Sequence, residues 1–483
     1  MRAALFIVVV SRRCFPRLYP ISYTRSPELI PYNPLMEHGN FLASVKAQYE
    51  HYPYPPRDPE EERRRLRISL LDALDVVNHH GFGGRRDLSR GFRVLVAGGG
   101  TGDAAISMAE QLRGLGGEVI YLDMSGASMA VARARAAVRG LDNITWIQES
   151  LLELPRLGLG CFDYINCAGV LHHLEDPEAG LAALEAVLAE DGVIGLMVYA
   201  AYGRAPVYQV QALLAMLRES GDDMARQVED ALAVVEALPA HHGLKLSWEI
   251  YAGDLQAGPG GVYDLLLHSR DRAYTVPQLY DFVASAGLQI TTLLSDEGYA
   301  NLAYDPATYL RNPRLLARLR RLPLPSRQAA AELLHGRLCK HSCLVTRHPV
   351  APPDLQDVEH MVPTLALVYE RSAYGELARR CREAGEVLEV TVSRRPPLKV
   401  RLDRPPHLAA LLEHMDGNRT LGEMIAAARH DLGGAGPDAA ALLEEFRPYY
   451  EAMQLSNGLL LRHRDTPPLP TRGEMQARLE GGE

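Results

Sequence analysis

The residues best suited to chemistry in this sequence follow a short apolar run at 94–97. A glycine turn at 98–102 reads GGGTG, and an alanine-rich segment with apolar residues at helical spacing comes next. Glycine permits positive φ angles and lets a ligand lie directly on the backbone. The helix that follows points its free amide groups at the same place. The pattern predicts a strand, a turn and a helix that bind a nucleotide-like ligand.

A carboxylate after the next apolar run supports this prediction. Asp123 lies 25 residues after Gly98, near the offset of about 20 residues at which an acid binds ribose hydroxyls. A carboxylate there accepts hydrogen bonds from a vicinal diol. The glycine turn alone is compatible with NAD, FAD or a structural role. Together with Asp123 and the polar strand end at 148–152, it indicates a ligand that carries a ribose.

These positions require a particular arrangement of strands and helices. Short apolar runs alternate with helical patterns across 91–200, which predicts a parallel sheet covered on both faces. Such a sheet binds ligands beyond the carboxyl ends of its strands. The fold class is therefore α/β with a doubly wound sheet. The predicted strands are 93–97, 118–122, 144–148, 162–167 and 193–199, and the predicted helices are 103–114, 126–138 and 177–189.

Three motifs in this region resemble those of the class I S-adenosylmethionine-dependent methyltransferases. They are AGGGTGDAAI at the first strand end, YLDMS at the second and AGVLHHLEDP at the fourth. The last is the most specific, because LHHL before Asp-Pro is common in that superfamily and unusual in nucleotide dehydrogenases. The resemblance implies a Rossmann-like methyltransferase sheet and S-adenosylmethionine as the cofactor.

The resemblance also implies contacts for individual residues. The glycines of the turn would approach the methionine part of the cofactor, Asp123 and its strand end would hold the ribose, and the third strand end would border the adenine. The start of the fourth motif would form the floor near the sulfonium. The cofactor-binding residues predicted in this way are Gly98, Gly100, Gly102, Asp123, Met124, Ser150, Leu151, Gly169 and Val170.

Two positions depart from the pattern of the superfamily. Many members have an acid two residues before the first glycine, where this sequence has Val96. Many also have an acid at the position of Ser150, where a hydroxyl can still bond adenine. We therefore expect the cofactor to be held with fewer charged contacts than is usual.

Catalysis of methyl transfer depends mainly on placing the acceptor in line with the methyl group and excluding water. A base is required only if the acceptor must lose a proton as it attacks. His172 and His173 are the candidate bases. The alternative is that both pack, or bond the backbone, at a strand-to-helix turn.

Candidate acceptor contacts lie on both sides of the core. Tyrosines in a proline-rich stretch near 49–57 belong either to a rigid strap or to a lid whose rings line a pocket. The helices predicted within 201–275 would form a cap over the ligand crevice. Polar residues near the end of this cap, among them Asp264, suit an acceptor with a carboxylate or amine, or an ion-pair network that ties cap to core. The predicted substrate residues are Tyr52, Tyr54, His268, Arg270 and Tyr274.

The rest of the chain divides by composition. Three helices and a terminal hairpin near the C-terminus resemble a winged-helix-like module, and also the regulatory domain found after some bacterial methyltransferases, including protein-lysine ones. We interpret this part as a protein-contact module through which a homodimer could form. The predicted divisions are 1–35 as a disordered segment before a true start at Met36 (or a signal or transit peptide), 36–90 as an N-terminal lid or strap, 91–349 as the methyltransferase domain (core 91–200, cap 201–275), 350–359 as a linker, 360–465 as the C-terminal domain and 466–483 as a disordered tail.

Composition and charge exclude several classes of function. The net charge of −9 gives no electrostatic argument for nucleic-acid binding, which requires a basic face. No apolar run approaches the ~20 residues of a membrane span, so no membrane association is predicted. Six scattered cysteines indicate a reducing, cytoplasmic location. The residues at 339, 341 and 343 share one face of a strand as Cys, His and Cys, but their spacing fits no closed zinc site, so no metal is predicted.

We therefore expect an S-adenosylmethionine-dependent methyltransferase whose acceptor is a small organic molecule, attacked by in-line displacement. A protein acceptor is the first alternative, suggested by the C-terminal module and the long cap. A non-catalytic regulator that binds S-adenosylmethionine is the second, suggested by Val96.

Overall fold

The structure is a computed structural model, and it describes residues 41–295, 300–394, 397–433 and 436–480. The predicted disordered segment 1–35, the candidate start at Met36 and the last three residues of the tail lie outside the described residues.

The N-terminal part wraps along the edge of the core. Helix α1 (Phe41–His51) ends before a run of prolines, which cannot continue a helix and impose an extended path. A 3₁₀ turn at Pro59–Arg63 follows, and its first turn is capped by the Asp58 carboxylate. Helix α2 (Leu74–Gly81) completes this part.

A mixed sheet of eight strands forms the centre of the described chain, in the order β3-β2-β1-β4-β5-β8-β7, with the short β6 paired to the end of β5. β1 to β5 are parallel, and β8 is antiparallel to both of its neighbours. The strands are β1 (Arg93–Ala97), β2 (Glu118–Asp123), β3 (Ile144–Gln148), β4 (Phe162–Ala168), β5 (Leu188–Ala200), β6 (Ala273–Tyr274), β7 (Gln289–Leu294) and β8 (Lys340–Thr346).

Helices cover both faces of this sheet, as the apolar strands require. They are α3 (Asp103–Leu112), α4 (Gly126–Arg139) and α5 (Pro177–Glu185) within the core, α11 (Val276–Ser285) beside β7, and α12 (Pro313–Leu319) and α13 (Leu324–His335), which follow β7 in the chain. The five strands predicted across 91–200 are confirmed. The helix predicted to reach residue 189 ends at Glu185, because Leu188 already pairs with Phe162 as the start of β5.

The predicted helical cap is confirmed between β5 and β6. It packs around its own apolar cluster, in which Val207, Tyr251 and Val262 are buried. Its helices are α6 (Ala201–Leu217), α7 (Met224–Ala237), α8 (Gly243–Leu246), α9 (Trp248–Gln256) and α10 (Pro259–Leu266). None of the described helices is both long and apolar enough to cross a membrane.

The C-terminal part is a mixed α/β unit. Its three central helices are followed by a strand, but this strand pairs antiparallel with β9 and does not form the predicted terminal hairpin. The hairpin of this unit, β10–β11, comes before those helices, and the winged-helix resemblance stays a prediction. The elements are β9 (Met361–Leu365), α14 (Ala373–Glu383), β10 (Val387–Arg394), β11 (Pro397–Asp403), α15 (Leu408–Glu413), α16 (Leu421–Asp431), α17 (Ala439–Gln454), β12 (Leu459–His463) and α18 (Arg472–Glu480).

The prediction of a disordered tail from residue 466 is wrong for the part that is described. Helix α18 lies against the core, where Met475 is fully buried and Arg478 donates to the backbone oxygen and the carboxylate of Glu110. The C-terminal unit also shares an apolar cluster with the core, to which it contributes Leu367 and Leu460. The expectation of a free tail fails because charged sequence patterns do not show which partner a helix will find.

A buried carboxylate joins the N-terminal part to the core. Glu62, which is 2% exposed, accepts from Arg135 Nε at 3.0 Å and also pairs with Arg139, and both arginines belong to α4. Gln476 of α18 donates to the backbone oxygen of Glu62. Three distant segments therefore meet at one residue.

Replacing Glu62 by glutamine should lower the free energy of unfolding by about 3–5 kcal/mol, because two buried guanidinium groups lose an acid. Glu60→Gln is the matched control, since Glu60 is 63% exposed and pairs only with Arg63; its loss should cost at most about 1 kcal/mol. Urea unfolding followed by circular dichroism measures both values. Equal losses in the two variants would contradict this role of Glu62.

Candidate active site

A cavity of about 570 Å³ lies beyond the carboxyl ends of β1, β2, β4 and β5. Its floor is the sheet. One wall is the part of the chain from Val45 to Asp72, called the N-terminal stretch below, and the opposite wall is the cap. Parallel sheets place ligands at this edge because their strand-to-helix loops meet there.

The glycine turn forms the part of the floor above β1. Gly98 has a φ of +73°, and a Cβ there would lie 2.4 Å from Val170 Cγ2. Gly100 has a φ of +51°, and its Cβ would lie 2.8 Å from the backbone oxygen of Tyr54. Side chains at these positions would close the space in which a ligand lies on the backbone.

Gly102 has a different use from the one predicted. It does not belong to the cavity wall, and a Cβ there would lie 2.8 Å from the Cβ of Ala132 on α4. Its absent side chain allows α3 and α4 to approach. Gly99, which was not among the predicted residues, does line the cavity.

Asp123 is tied to both neighbouring loops. Its carboxylate accepts from the Gly100 N–H at 2.8 Å and from the Ser125 N–H at 2.8 Å. Burial raises the pKa of Asp123, and the two backbone N–H groups act in the opposite direction. Two lone pairs stay available on the carboxylate for hydroxyl donors, which is the chemistry that a ribose offers.

The remaining predicted cofactor residues surround the same space. Met124 follows Asp123, and the side chain of Ser150 caps the 3₁₀ turn at Leu151–Arg156. Gly169 begins the loop after β4, and its N–H donates to the Met197 oxygen. The predicted residues that line the cavity are Gly98, Gly100, Asp123, Met124, Ser150, Leu151, Gly169 and Val170.

The N-terminal stretch closes over the glycine turn. Glu50 accepts from the N–H groups of Gly126 and Ala127 at the start of α4, at 2.6 and 3.0 Å. Thr101 Oγ1 donates to the Pro55 oxygen at 2.7 Å. A negative side chain at a helix N-terminus is favourable, so these bonds hold the stretch across the opening.

Two tyrosines of this stretch reach acids of the cap. Tyr49 donates to Asp264 Oδ1 at 3.0 Å, and Tyr54 donates to Asp254 Oδ1 at 2.7 Å. All four side chains line the cavity. Tyr52, predicted to contact substrate, instead packs against Tyr263 with ring centroids 5.7 Å apart, away from the cavity wall.

Asp264 is a buried carboxyl in the cavity wall that the cap forms. Burial raises its pKa to about 7, while the Tyr49 hydroxyl and the Arg204 guanidinium oppose that rise. Arg204 is itself buried, pairs with Asp271 and lies 3.5 Å over the Tyr199 ring. The carboxyl of Asp264 is therefore poised to exchange a proton near neutral pH.

His173 and His268 stack beside Asp264, with ring centroids 3.7 Å apart. His173 Nδ1–H donates to the Arg270 oxygen at 2.7 Å, and the Arg270 N–H donates to His268 Nδ1 at 3.1 Å. These bonds leave His173 with a lone pair on Nε2, and His268 with a proton on Nε2 that faces the Tyr49 hydroxyl at 3.4 Å. Burial lowers the pKa of both rings, which favours their neutral forms.

The ligand atoms of His173, Asp264 and His268 lie within 4.8 Å of one another in the described part of the chain. A metal ion would require a lone pair on each histidine, in the plane of its ring. His268 Nε2 carries a proton, and the two rings are stacked with planes 24° apart. The arrangement matches a hydrogen-bond chain from His268 through Tyr49 to Asp264 better than a metal centre.

Three other predicted residues lie away from the cavity wall. His172 is fully buried beneath Tyr199, with ring centroids 3.9 Å apart, and neither of its ring nitrogens has a hydrogen-bond partner among the described residues. Arg270 contacts His173 and His268 through its backbone oxygen and N–H. Tyr274 packs its ring on Phe282 in the core. The prediction of His172 as a base is wrong, because its side chain contacts neither solvent nor the cavity.

The Cys, His and Cys positions of β8 have structural contacts. His341 lies between the Tyr304 hydroxyl and the Tyr274 backbone oxygen, at 2.9 and 3.0 Å. Cys343 is buried in the main apolar cluster, and Cys339 contacts the Tyr251 hydroxyl at 3.3 Å. Each of these three side chains therefore packs or hydrogen-bonds within the protein.

Comparison with known proteins places this geometry in a family. Residues 95–194 match the model of a family described as "Methyltransferase domain". An uncharacterized protein of Synechococcus is 32% identical over 250 residues, 51% of this chain and 58% of that protein. The tRNA 5-carboxymethoxyuridine methyltransferase of Escherichia coli K12 is 38% identical over 118 residues, 23% of this chain and 41% of that enzyme. The chain thus spans about half the length of these two relatives.

A solved structure extends the comparison to most of the chain. PKMT2 from Rickettsia typhi, in complex with AdoHcy, superposes with a TM-score of 0.58 at 14% identity, over 86% of this chain and 78% of that one. At this identity the likeness shows the fold. Residues 95–194 thus match a methyltransferase domain, within a fold that is shared with PKMT2 over most of the chain.

S-adenosylmethionine is the cofactor that the sequence motifs predict for this site, and AdoHcy is bound to PKMT2. The residues present fit it, because the glycine turn leaves space that a Cβ would fill and Asp123 offers oxygens for a diol. Most of the residues that the motifs predicted for the cofactor line this cavity. The motifs did not predict Asp254, and the sequence offered Tyr49 only as one tyrosine of a strap or lid.

Removing the Asp123 carboxylate in an Asp123→Ala variant should weaken binding of S-adenosylhomocysteine by about 1–3 kcal/mol, because the ribose hydroxyls lose charged acceptors. Glu118→Ala is the matched control, since Glu118 stands at the opposite end of the same strand. Isothermal titration calorimetry measures both affinities. An Asp123→Ala affinity equal to that of the wild type would reject the ribose contact.

Proposed function

We propose that this chain transfers the methyl group of S-adenosylmethionine to the nitrogen of an amine. The cofactor supplies a methyl group already activated by its sulfonium. The acidic acceptor side of the cavity, centred on Asp264, is the observation that carries the proposal.

The charge of the cavity wall supports a cationic or amine-bearing acceptor. Among the described residues, its acids are Asp72, Asp103, Asp123, Glu149, Glu175, Asp254 and Asp264. The basic residues of the wall are Arg204 and Lys340. Arg204 is paired with Asp271, and among the acids Asp103 is paired with Arg57 and Arg135. A cleft lined by one sign of charge concentrates ligands of the opposite sign.

Asp264 has the geometry of a base for such an acceptor. An amine that attacks the methyl group must lose a proton, before or after the transfer. The Asp264 carboxyl, with its pKa raised to about 7 by burial, can accept that proton near neutral pH. The Tyr49 hydroxyl, 3.0 Å away, holds the carboxylate in place.

Aromatic rings complete the acceptor side. Tyr49, Tyr54, Tyr199 and Tyr251 line the cavity together with His173. The faces of aromatic rings attract ammonium and methylammonium groups. The N-terminal stretch and the cap cover this space, which excludes water and orients the acceptor.

A small organic amine is the first candidate acceptor, because the cavity is enclosed by the N-terminal stretch and the cap. An amine on a protein side chain is the second, favoured by the C-terminal unit that packs on the core and by a fold likeness that extends over that unit. The tRNA-modifying relative matches only 23% of the chain, so its acceptor gives no guide. Dimerisation through the C-terminal unit stays a prediction.

Incubation with methyl-labelled S-adenosylmethionine tests the proposal. A panel of primary amines and the alcohols of the same shape should give labelled N-methyl products from the amines alone. In a cell lysate, label in small molecules or in protein separates the two candidate acceptors. Label on neither, with cofactor binding intact, would reject the enzyme in favour of a regulator.

An Asp264→Asn variant tests the base. Its kcat should fall by about 10²- to 10⁴-fold, while S-adenosylhomocysteine affinity stays within about twofold, because general-base catalysis acts on the transfer alone. The wild-type kcat should rise as the pH passes through about 7, since Asp264 becomes ionised, and this rise should be absent in the variant. Asp254→Asn is the control and should raise KM with the pH dependence retained. A normal kcat in Asp264→Asn would reject this role.

A further inference from the structure

Asp72 is a buried carboxylate of the cavity wall that neither the ribose contact nor the acceptor side uses. It is 5% exposed, and it lies just before α2. Its carboxylate accepts from the Ser69 N–H at 3.0 Å and from Asn166 Nδ2 at 3.1 Å. Ser69, Leu70 and Leu71, which precede it in the chain, line the same cavity, as do Gly98, Gly99 and Gly100.

The sheet register places Asp72 near the end of β1. Asn166 on β4 is the direct partner of Val96 on β1, and Asn166 holds the Asp72 carboxylate. The backbone is fixed as well, because the Leu71 oxygen accepts from the Tyr164 hydroxyl at 2.7 Å and the Asp72 oxygen accepts from Gln111 Nε2 at 2.7 Å. The carboxylate is therefore presented beside the glycine turn by contacts with β4 and α3.

No cationic side chain among the described residues donates a hydrogen bond to the Asp72 carboxylate. Both of its hydrogen-bond donors among the described residues are uncharged. Burial raises its pKa to about 6, and the nearby Asp103 carboxylate adds to that rise. A buried carboxylate without a cation is unfavourable. A cationic group of the cofactor would supply the missing charge.

We propose that Asp72 binds the α-ammonium group of the methionine part of S-adenosylmethionine. The inference rests on the proposed function, since it requires that cofactor. Asn166, which donates to the Asp72 carboxylate, is the register partner of Val96, two residues before the glycine turn. The negative charge that faces the ammonium group is therefore on a residue of the N-terminal stretch and not on a residue of β1.

Two ligands and two variants test this assignment in the full-length chain. S-adenosylhomocysteine carries the ammonium group, whereas 5′-methylthioadenosine has the same nucleoside and sulfur without it. Asp72→Asn should bind S-adenosylhomocysteine about tenfold more weakly or worse, because a charge-assisted hydrogen bond is lost. Its affinity for 5′-methylthioadenosine should stay within about twofold.

Asp75→Asn is the matched control. Asp75 belongs to the same segment, burial raises its pKa to about 6 as well, and it bonds the Leu367 N–H away from the cavity. Both affinities should match the wild type in this variant. Unchanged binding of S-adenosylhomocysteine by Asp72→Asn, or an equal loss for both ligands, would overturn the assignment. A wild-type chain that binds neither ligand would overturn the proposed function and this inference with it.

Discussion

The hydrogen bonds of the Asp123 carboxylate are the interaction on which the site depends. One oxygen holds the glycine turn through Gly100, and the other holds the next loop through Ser125. Ser125 Oγ in turn donates to the Tyr49 backbone oxygen at 3.0 Å, which brings the N-terminal stretch over the turn. A single half-buried acid therefore fixes the cofactor loop and, through Ser125, the position of the stretch that covers it.

The same cavity uses buried acids for different tasks because their partners differ. Asp123 accepts from backbone amides, Asp264 from a tyrosine hydroxyl and Asp72 from a backbone amide and a carboxamide. Among the described residues, none of these three accepts a hydrogen bond from an arginine, whereas Glu62 is enclosed by two. Asp103, another acid of the cavity wall, is paired with Arg57 and Arg135. Asp72, Asp123 and Asp264 are therefore the acids that stay available to ligands.

Local sequence patterns were sufficient for the core of the fold. Apolar runs predicted β1 to β5, and the motifs at their ends predicted most of the cofactor side, because both depend on residues close together in the chain. Gly102 shows the limit of the motif, since its spacing does not reveal whether a glycine faces a ligand or a neighbouring helix. His172 and His173 show the same limit, because adjacent residues in a turn point in different directions.

The acceptor side depends on contacts that no local pattern records. Tyr49 and Asp264 are 215 residues apart, and Asp72 reaches Asn166 across 94 residues. The sequence near Asp264 did indicate polar chemistry, but it did not separate that side chain from Tyr274, whose ring is in the core. The sequence did not predict helix α18 for the same reason. Its side chains hydrogen-bond to Glu110 and Glu62, which lie on distant segments.

A crystal structure of the full-length chain with S-adenosylhomocysteine and a simple amine tests the central claim most directly. We expect the ribose hydroxyls on Asp123, the ammonium group on Asp72, and the amine between the sulfur atom and Asp264. A ribose bound elsewhere, or an amine that lies away from Asp264, would contradict an account in which the buried acids of one cavity order both cofactor and acceptor.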